Sequence, residues 1–215
     1  VTTDQAGGEW TLVVPVKRLS AGKSRLAGFA GEHRGELALA VACDTVQAAV
    51  SCPSVVAVFV VTDDPLVARR VTDLGARVVP DPPEAGLNPA LVHGAAHATA
   101  LFPRAGTCAL SADLPALRPG ELERVLGAAV AHERSFLPDT PGVGTTLYAT
   151  APGAVFAPGF EGESRRRHRE LGAVELAVEE VASVRRDVDT PADLAEAVAL
   201  GVGPHTAKVL ARLGL

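Results

Sequence analysis

Four short apolar stretches without helical periodicity, at 11–16, 55–61, 77–80 and 107–111, are each followed by a segment with helical spacing. The run Val55-Val56-Ala57-Val58-Phe59-Val60-Val61 has no polar position, the mark of a strand buried on both faces of a parallel sheet. Strand–helix alternation of this kind predicts an α/β fold with helices on both faces of a mostly parallel sheet. Cap chemistry marks the helix starts. Asp64-Pro65 opens one helix, with Gly75 at its end, and Asn88-Pro89 opens another. Thr190-Pro191 opens a third, with Asp193 completing a capping box. Past residue 134 the order changes: β-like pieces at 135–138, 145–149, 173–178 and 182–187 surround a basic helix at about 164–171. A last helix is expected at 204–213. The expectation is a single Rossmann-like domain over 11–215, preceded by a flexible tail at 1–10.

Composition narrows the function. Apolar residues make up 47% of the chain but aromatics only 4%, so the core must be built from Val, Leu and Ala. A net charge of −5 argues against a nucleic-acid or acidic-membrane binder. No run of 18 apolar residues and no leader-like start is present, which predicts a soluble, cytoplasmic protein. Cys43, Cys52 and Cys108 form no Cys-x-x-Cys pair and read as buried small hydrophobes.

Lysine is nearly absent. Seventeen arginines accompany three lysines, and two of the three, Lys17 and Lys23, lie in one loop after the first strand. The loop Lys17-Arg18-Leu19-Ser20-Ala21-Gly22-Lys23-Ser24-Arg25 ends like a P-loop, but the first P-loop glycine would fall at Lys17, which breaks the motif. A basic loop at that strand end still lies where α/β sheets bind ligands. Lys17, Lys23 and Arg25 are therefore candidates to hold a triphosphate; chance surface charge is the plain alternative.

Carboxylates mark the same edge. Asp113 follows the strand 107–111, and Asp187 and Asp189 end the β-like segment 182–187, where strand alternation would put both on one face. Together the three aspartates form a hard-oxygen set suited to magnesium; helix capping is the alternative for each alone. Gly142 and Gly144 before Thr145 allow close backbone approach to a ligand. Ser164, read as the N-cap of the basic segment Arg165-Arg166-Arg167-His168-Arg169, suggests an anion site, against a solvated basic face. His93 and His97 have metal-pair spacing but lack the acidic partner of a zinc-protease motif, and read as structural.

In order and spacing, several motifs resemble the guanylyltransferases of deazaflavin coenzyme F(420) biosynthesis, which act on 2-phospho-L-lactate or phosphoenolpyruvate. The motifs are Pro15-Val16-Lys17-Arg18-Leu19 with Gly22-Lys23-Ser24-Arg25-Leu26, Leu87-Asn88-Pro89-Ala90, and Asp113-Leu114-Pro115. Gly144-Thr145, Phe160 with Ser164 and His168, and Asp187-Val188-Asp189-Thr190-Pro191 complete them. The resemblance implies the nucleotidyltransferase (GT-A-like) version of the doubly wound fold, as in the molybdenum-cofactor guanylyltransferases. It implies attack of the substrate phosphate on the α-phosphorus of GTP, with pyrophosphate leaving. It implies magnesium on Asp113, Asp187 and Asp189, and phosphoenolpyruvate contacts from Thr145, Ser164 and a glycine just after Phe160. Here Glu161 and then Gly162 follow Phe160, so the contact is either displaced to Gly162 or made by the Glu161 backbone. Ala112 stands where the family tends to have glycine. Asn88 and the first loop are candidates for GTP contact, and the transferase that takes up the labile product is a candidate partner. A relative using another nucleotide or small phosphorylated acid, and a nucleotide-sensing domain, are the remaining readings.

Overall fold

The computed structural model describes residues 8–19, 33–81 and 86–214. Among the described residues seven strands form one sheet in the order β3-β2-β1-β4-β6-β5-β7. They are β1 (Trp10–Pro15), β2 (Val55–Val61), β3 (Arg77–Val79), β4 (Gly106–Leu110), β5 (Arg134–Pro138), β6 (Thr145–Thr150) and β7 (Val174–Glu175). All neighbouring pairs are parallel except those of β6, which runs antiparallel to both β4 and β5.

The strand period sorts the core into two layers. Leu12, Val14, Val58, Val60, Cys108 and Leu110 face one side, while Val13, Phe59, Val61, Ala109, Phe136 and Tyr148 face the other. Helices α1 (Arg34–Val50), α2 (Pro65–Asp73) and α4 (Pro119–Ala129) cover the first side. Helix α3 (Leu87–Leu101) covers the second. It lies directly on β1 and β2 because Gly94 has no side chain; a Cβ there would collide with Val61 and Val13. The helices α5 (Ser164–Glu170), α6 (Ala182–Arg185), α7 (Pro191–Leu200) and α8 (Pro204–Leu213) complete the elements of the described residues. Buried Asp44 on α1 ties α8 down, accepting from the His205 and Thr206 N–H groups at 3.0 and 2.7 Å.

The Asp64 cap and the Thr190–Asp193 capping box form as their chemistry dictates. Four expectations are corrected. Trp10 is no tail residue: it opens β1, is 3% exposed and packs over Gly106. Asn88 is not a cap, since α3 starts one residue earlier with Gly86 before it. The segment 182–187 is not a strand. Buried Glu121 accepts from both the backbone N–H and the hydroxyl of Ser183, at 2.8 Å each, and pins the short helix α6 there. Asp187 and Asp189 therefore do not share a strand face; they flank Val188, whose side chain is fully buried.

The sheet order places the functional edge. Chain progression reverses between β1 and β4, so the loops after these two strands diverge and leave a crevice at their carboxyl ends. Because β6 is antiparallel, its first residue, Thr145, lies at that same edge, where the Ser111 N–H donates to Thr146 O at 2.8 Å.

Candidate active site

Two adjoining cavities open at the crevice. One, of about 220 Å³, runs between the β1 loop (Pro15 to Lys17) and the β4 loop (Ser111 to Asp113), closed by Leu91 and Phe160. The other, of about 340 Å³, shares Pro15–Lys17 and extends to Asp63 and Asp81. Lys17 lines both and is exposed. Lys23 and Arg25 lie outside the described residues. The described part of the loop is anchored by Asp64, which accepts from the Leu19 N–H at 3.0 Å while capping α2. Burial alone would raise the Asp64 pKa, but the Leu19, Val67 and Leu66 N–H groups outweigh it and hold the carboxyl below its usual range.

The Asp113 turn is fixed by Thr45. Its hydroxyl accepts from the Leu114 N–H at 3.0 Å and shares its one hydrogen between Val41 O at 3.0 Å and Ala112 O at 3.2 Å. Ala112 takes no positive φ. The Val188 N–H donates to Asp113 O at 3.0 Å and brings the 187–189 segment alongside. The Asp187 pKa is raised to about 7, first by burial and then by the charges of Asp113, Asp189 and Asp139. A carboxyl that resists ionising beside three others marks a place where added positive charge is favourable. The cap at Thr190 uses Asp193, not the Asp189 carboxylate.

Among the described residues no group of three His, Cys, Asp or Glu side chains stands ready to enclose a metal ion. Asp113 and Asp187 nonetheless suit magnesium, which takes one or two carboxylates and completes its shell with water and substrate phosphate. Asp139 is the acidic neighbour that the sequence did not reveal. It accepts from the Val143 and Gly144 N–H groups at 2.9 and 2.8 Å and shapes the turn before Thr145; a Cβ at Gly144 would collide with its carboxylate.

On the other side of the crevice the polar groups are buried. Thr145 is 7% exposed, Ser164 3% and His168 0%. Ser164 and His168 are one turn apart on the inner face of α5. The expected Ser164 N-cap is corrected: Glu163 holds that position, and Ser164 is already inside the helix. The expected arginine anion site is corrected too, because these guanidinium groups are already engaged. Arg165 holds the Glu175 carboxylate through Nε and Nη2, at 3.0 and 2.8 Å, and donates to Gly142 O. Arg169 also pairs with Glu175, and Arg166 with Glu163 and Glu170. Arg167 donates to Phe160 O at 3.2 Å.

Asn88 is likewise committed. Its amide brackets the Phe160 backbone, donating to O and accepting from N–H at 2.9 Å each. The next residues, Glu161 (φ 87°) and Gly162 (φ 58°), are both left-handed. Glu161 thus adopts the backbone that a glycine after Phe160 would favour. His93 and His97 lie on α3, with the His97 Nδ1 3.1 Å from His93 O, and neither lines the two cavities.

The crevice at the strand reversal, a basic loop after β1 and clustered carboxylates beyond β4 define the nucleotidyltransferase class. A nucleotidyl transferase from Methanothermobacter thermautotroptrophicus shares the fold, with a TM-score of 0.63 at 19% identity over 89% of this chain and 97% of that one. Residues 10–215 match the family described as guanylyl transferase CofC like, and the chain belongs to that family. A phosphoenolpyruvate guanylyltransferase of Thermomonospora curvata is 58% identical over 212 residues, covering 99% of this chain and 93% of that protein. The protein of that name from Streptomyces coelicolor is 58% identical over 206 residues, covering 95% and 97%. The chain is accordingly a nucleotidyltransferase enzyme.

Proposed function

We propose that the enzyme transfers GMP from GTP to phosphoenolpyruvate, releasing pyrophosphate and forming enolpyruvyl-2-diphospho-5'-guanosine, in deazaflavin coenzyme F(420) biosynthesis. The observation that carries this reading is the 58% identity, over 99% of the chain, to a protein named for that activity. 2-Phospho-L-lactate is the competing acceptor and differs only by saturation of the double bond.

The bond formed joins an acceptor phosphate oxygen to the α-phosphorus of GTP; the bond broken frees pyrophosphate. The attacking phosphate is already ionised at neutral pH, so positioning and charge neutralisation supply the rate. Lys17, with Lys23 and Arg25 of the same loop, neutralises the triphosphate and the leaving pyrophosphate. Asp113, Asp187 and Asp189 hold magnesium, which when bound offsets the repulsion between the two anionic substrates. Thr145, Ser164 and the backbone of Glu161 or Gly162 hold the acceptor. Among the described residues no helix is long and apolar enough to cross a membrane. Assignment to the cytoplasm, and hand-off of the labile product to the next transferase, belong to the same proposal.

Pyrophosphate release with GTP, magnesium and phosphoenolpyruvate tests the reading, repeated with 2-phospho-L-lactate and with CTP, ATP and UTP. Release confined to GTP with phosphoenolpyruvate is expected. Release with no acceptor pair would leave a nucleotide-sensing domain, and preference for CTP would overturn the guanylyl assignment.

A further inference from the structure

Nothing in the reaction as described uses His168, although its side chain meets most elements of the acceptor side. Its ring is fully buried, stacked on Tyr148 (4.9 Å between centroids, 18° between planes) and bounded by Phe136 and Phe160. The Gly159 N–H donates to its Nε2 at 2.8 Å. A nitrogen that accepts carries no proton, so the neutral ring must carry its proton on Nδ1. Nδ1 lies 3.1 Å from the Thr145 hydroxyl oxygen. The direction of that bond follows: Nδ1–H donates and Thr145 Oγ1 accepts. The threonine hydrogen is then left to donate elsewhere. Thr145 stands at the crevice edge and keeps 7% exposure, while Thr146 and Leu147 beyond it have none.

We propose that His168 is a positioning residue for the acceptor: by donating from Nδ1 it sets the Thr145 hydroxyl as a hydrogen-bond donor to the anionic group of the incoming phosphorylated acid. The proposal rests on the assignment of Thr145 to the acceptor. The same imidazole, through Nε2, holds Gly159 just ahead of the left-handed Glu161-Gly162 turn. One ring therefore fixes a side-chain donor and the backbone leading into a second contact. An anion needs donors, and an unfixed hydroxyl could as well present its lone pairs. Burial and the neighbouring Arg167 charge depress the His168 pKa to about 4, which keeps the ring neutral, with Nε2 free to accept, at physiological pH.

Two measurements test this on the whole enzyme. Imidazole nitrogen NMR of the free protein at neutral pH should show His168 protonated at Nδ1 and bare at Nε2. The opposite tautomer, or an imidazolium, would overturn the proposal. Kinetics supply the second. Thr145→Val should raise KM for phosphoenolpyruvate about tenfold and leave KM for GTP unchanged. His168→Phe, which keeps the aromatic packing, should raise the same KM similarly, and the double variant should be no worse than Thr145→Val alone. His168→Asn, whose amide N–H lies near the Nδ1 position, should recover most of the loss. Multiplying effects in the double variant, or a normal KM in His168→Phe, would overturn the role of His168 while leaving that of Thr145 intact. An unchanged KM in Thr145→Val would instead remove the acceptor assignment and the proposal with it. Should His168→Phe fail to fold, His168→Asn is compared with His168→Gln, whose amide lies near Nε2. Asn should then be the better acceptor binder, and the reverse order would overturn the proposal.

Discussion

The two sides of the crevice solve opposite problems. The side built from the parallel strands gathers charge: Lys17 is exposed, and burial, followed by the charges of Asp113, Asp189 and Asp139, pushes Asp187 up to about 7. The side built around antiparallel β6 buries uncharged groups: Thr145, Ser164 and His168 are at most 7% exposed, and the nearby arginines are spent on Glu175, Glu163, Glu170 and the backbone. A triphosphate with metal can be gripped by mobile charges, because its affinity comes from Coulomb attraction. A three-carbon acid offers few atoms, so discrimination must come from fixed donors whose loss leaves buried groups unpaired.

The largest test of that contrast falls on the charged side. Asp113→Ala and Asp189→Ala should each lower turnover by roughly 10²- to 10³-fold while the thermal melt stays within a few degrees, since neither carboxylate supports the Thr190 cap. Near wild-type turnover in either variant would break the metal assignment. Next, Lys17→Ala should raise KM for GTP by about 10- to 100-fold and leave KM for phosphoenolpyruvate unchanged.

A smaller effect should appear in stability against pH. The His168 pKa is depressed in the folded state to about 4, so between the unfolded value near 6.5 and that value the unfolded chain binds the extra proton. Its contribution is full above about 6.5 and is lost as pH falls toward 4, amounting to about 3 kcal/mol. Asp187 opposes it: a raised carboxyl pKa makes the folded state bind more protons between its unfolded range and about 7, so stability there falls as pH rises. The informative quantity is therefore the difference in urea midpoint between wild type and His168→Asn, which should shrink as pH is lowered from 7 to about 5. A difference independent of pH would contradict a neutral buried His168. The smallest effect belongs to Glu161→Gly. Relief of the left-handed strain, partly offset by the added freedom of the unfolded chain, should stabilise by about 0.5 kcal/mol, a melting shift of about 1–2 °C.

The same contrast explains what the sequence disclosed. Buried parallel strands have a compositional signature, so β1, β2 and β4 were legible, as were Asp64 and Thr190, whose cap chemistry is local. Lys17 and Asp113 stood out because charge just after a buried strand is conspicuous, whereas Asp187 stood out on a strand reading that the helix at Ala182–Arg185 replaces. Where a distant partner decides the outcome, local reading failed. Ser183 looks like part of a β-like run until Glu121, 62 residues earlier, pins it as helix. Asn88-Pro89 looks like a cap until Phe160, 72 residues later, takes both ends of the amide. Asp139 announced itself by no motif, and its role depends on the turn it holds. His168 sits in a run of arginines that suggests a charged surface, whereas its ring is buried; its sequence signals are the spacing of four from Ser164 and its place in the Phe160–Ser164–His168 motif.

The most direct test is pyrophosphate release with GTP and phosphoenolpyruvate varied independently, in wild type, Lys17→Ala and Thr145→Val. The prediction is a crossed result: Lys17→Ala raises only KM for GTP, and Thr145→Val raises only KM for phosphoenolpyruvate. Equal effects of both variants on both substrates, or no release by the wild type with this pair, would contradict a charged nucleotide side facing a buried, neutral acceptor side.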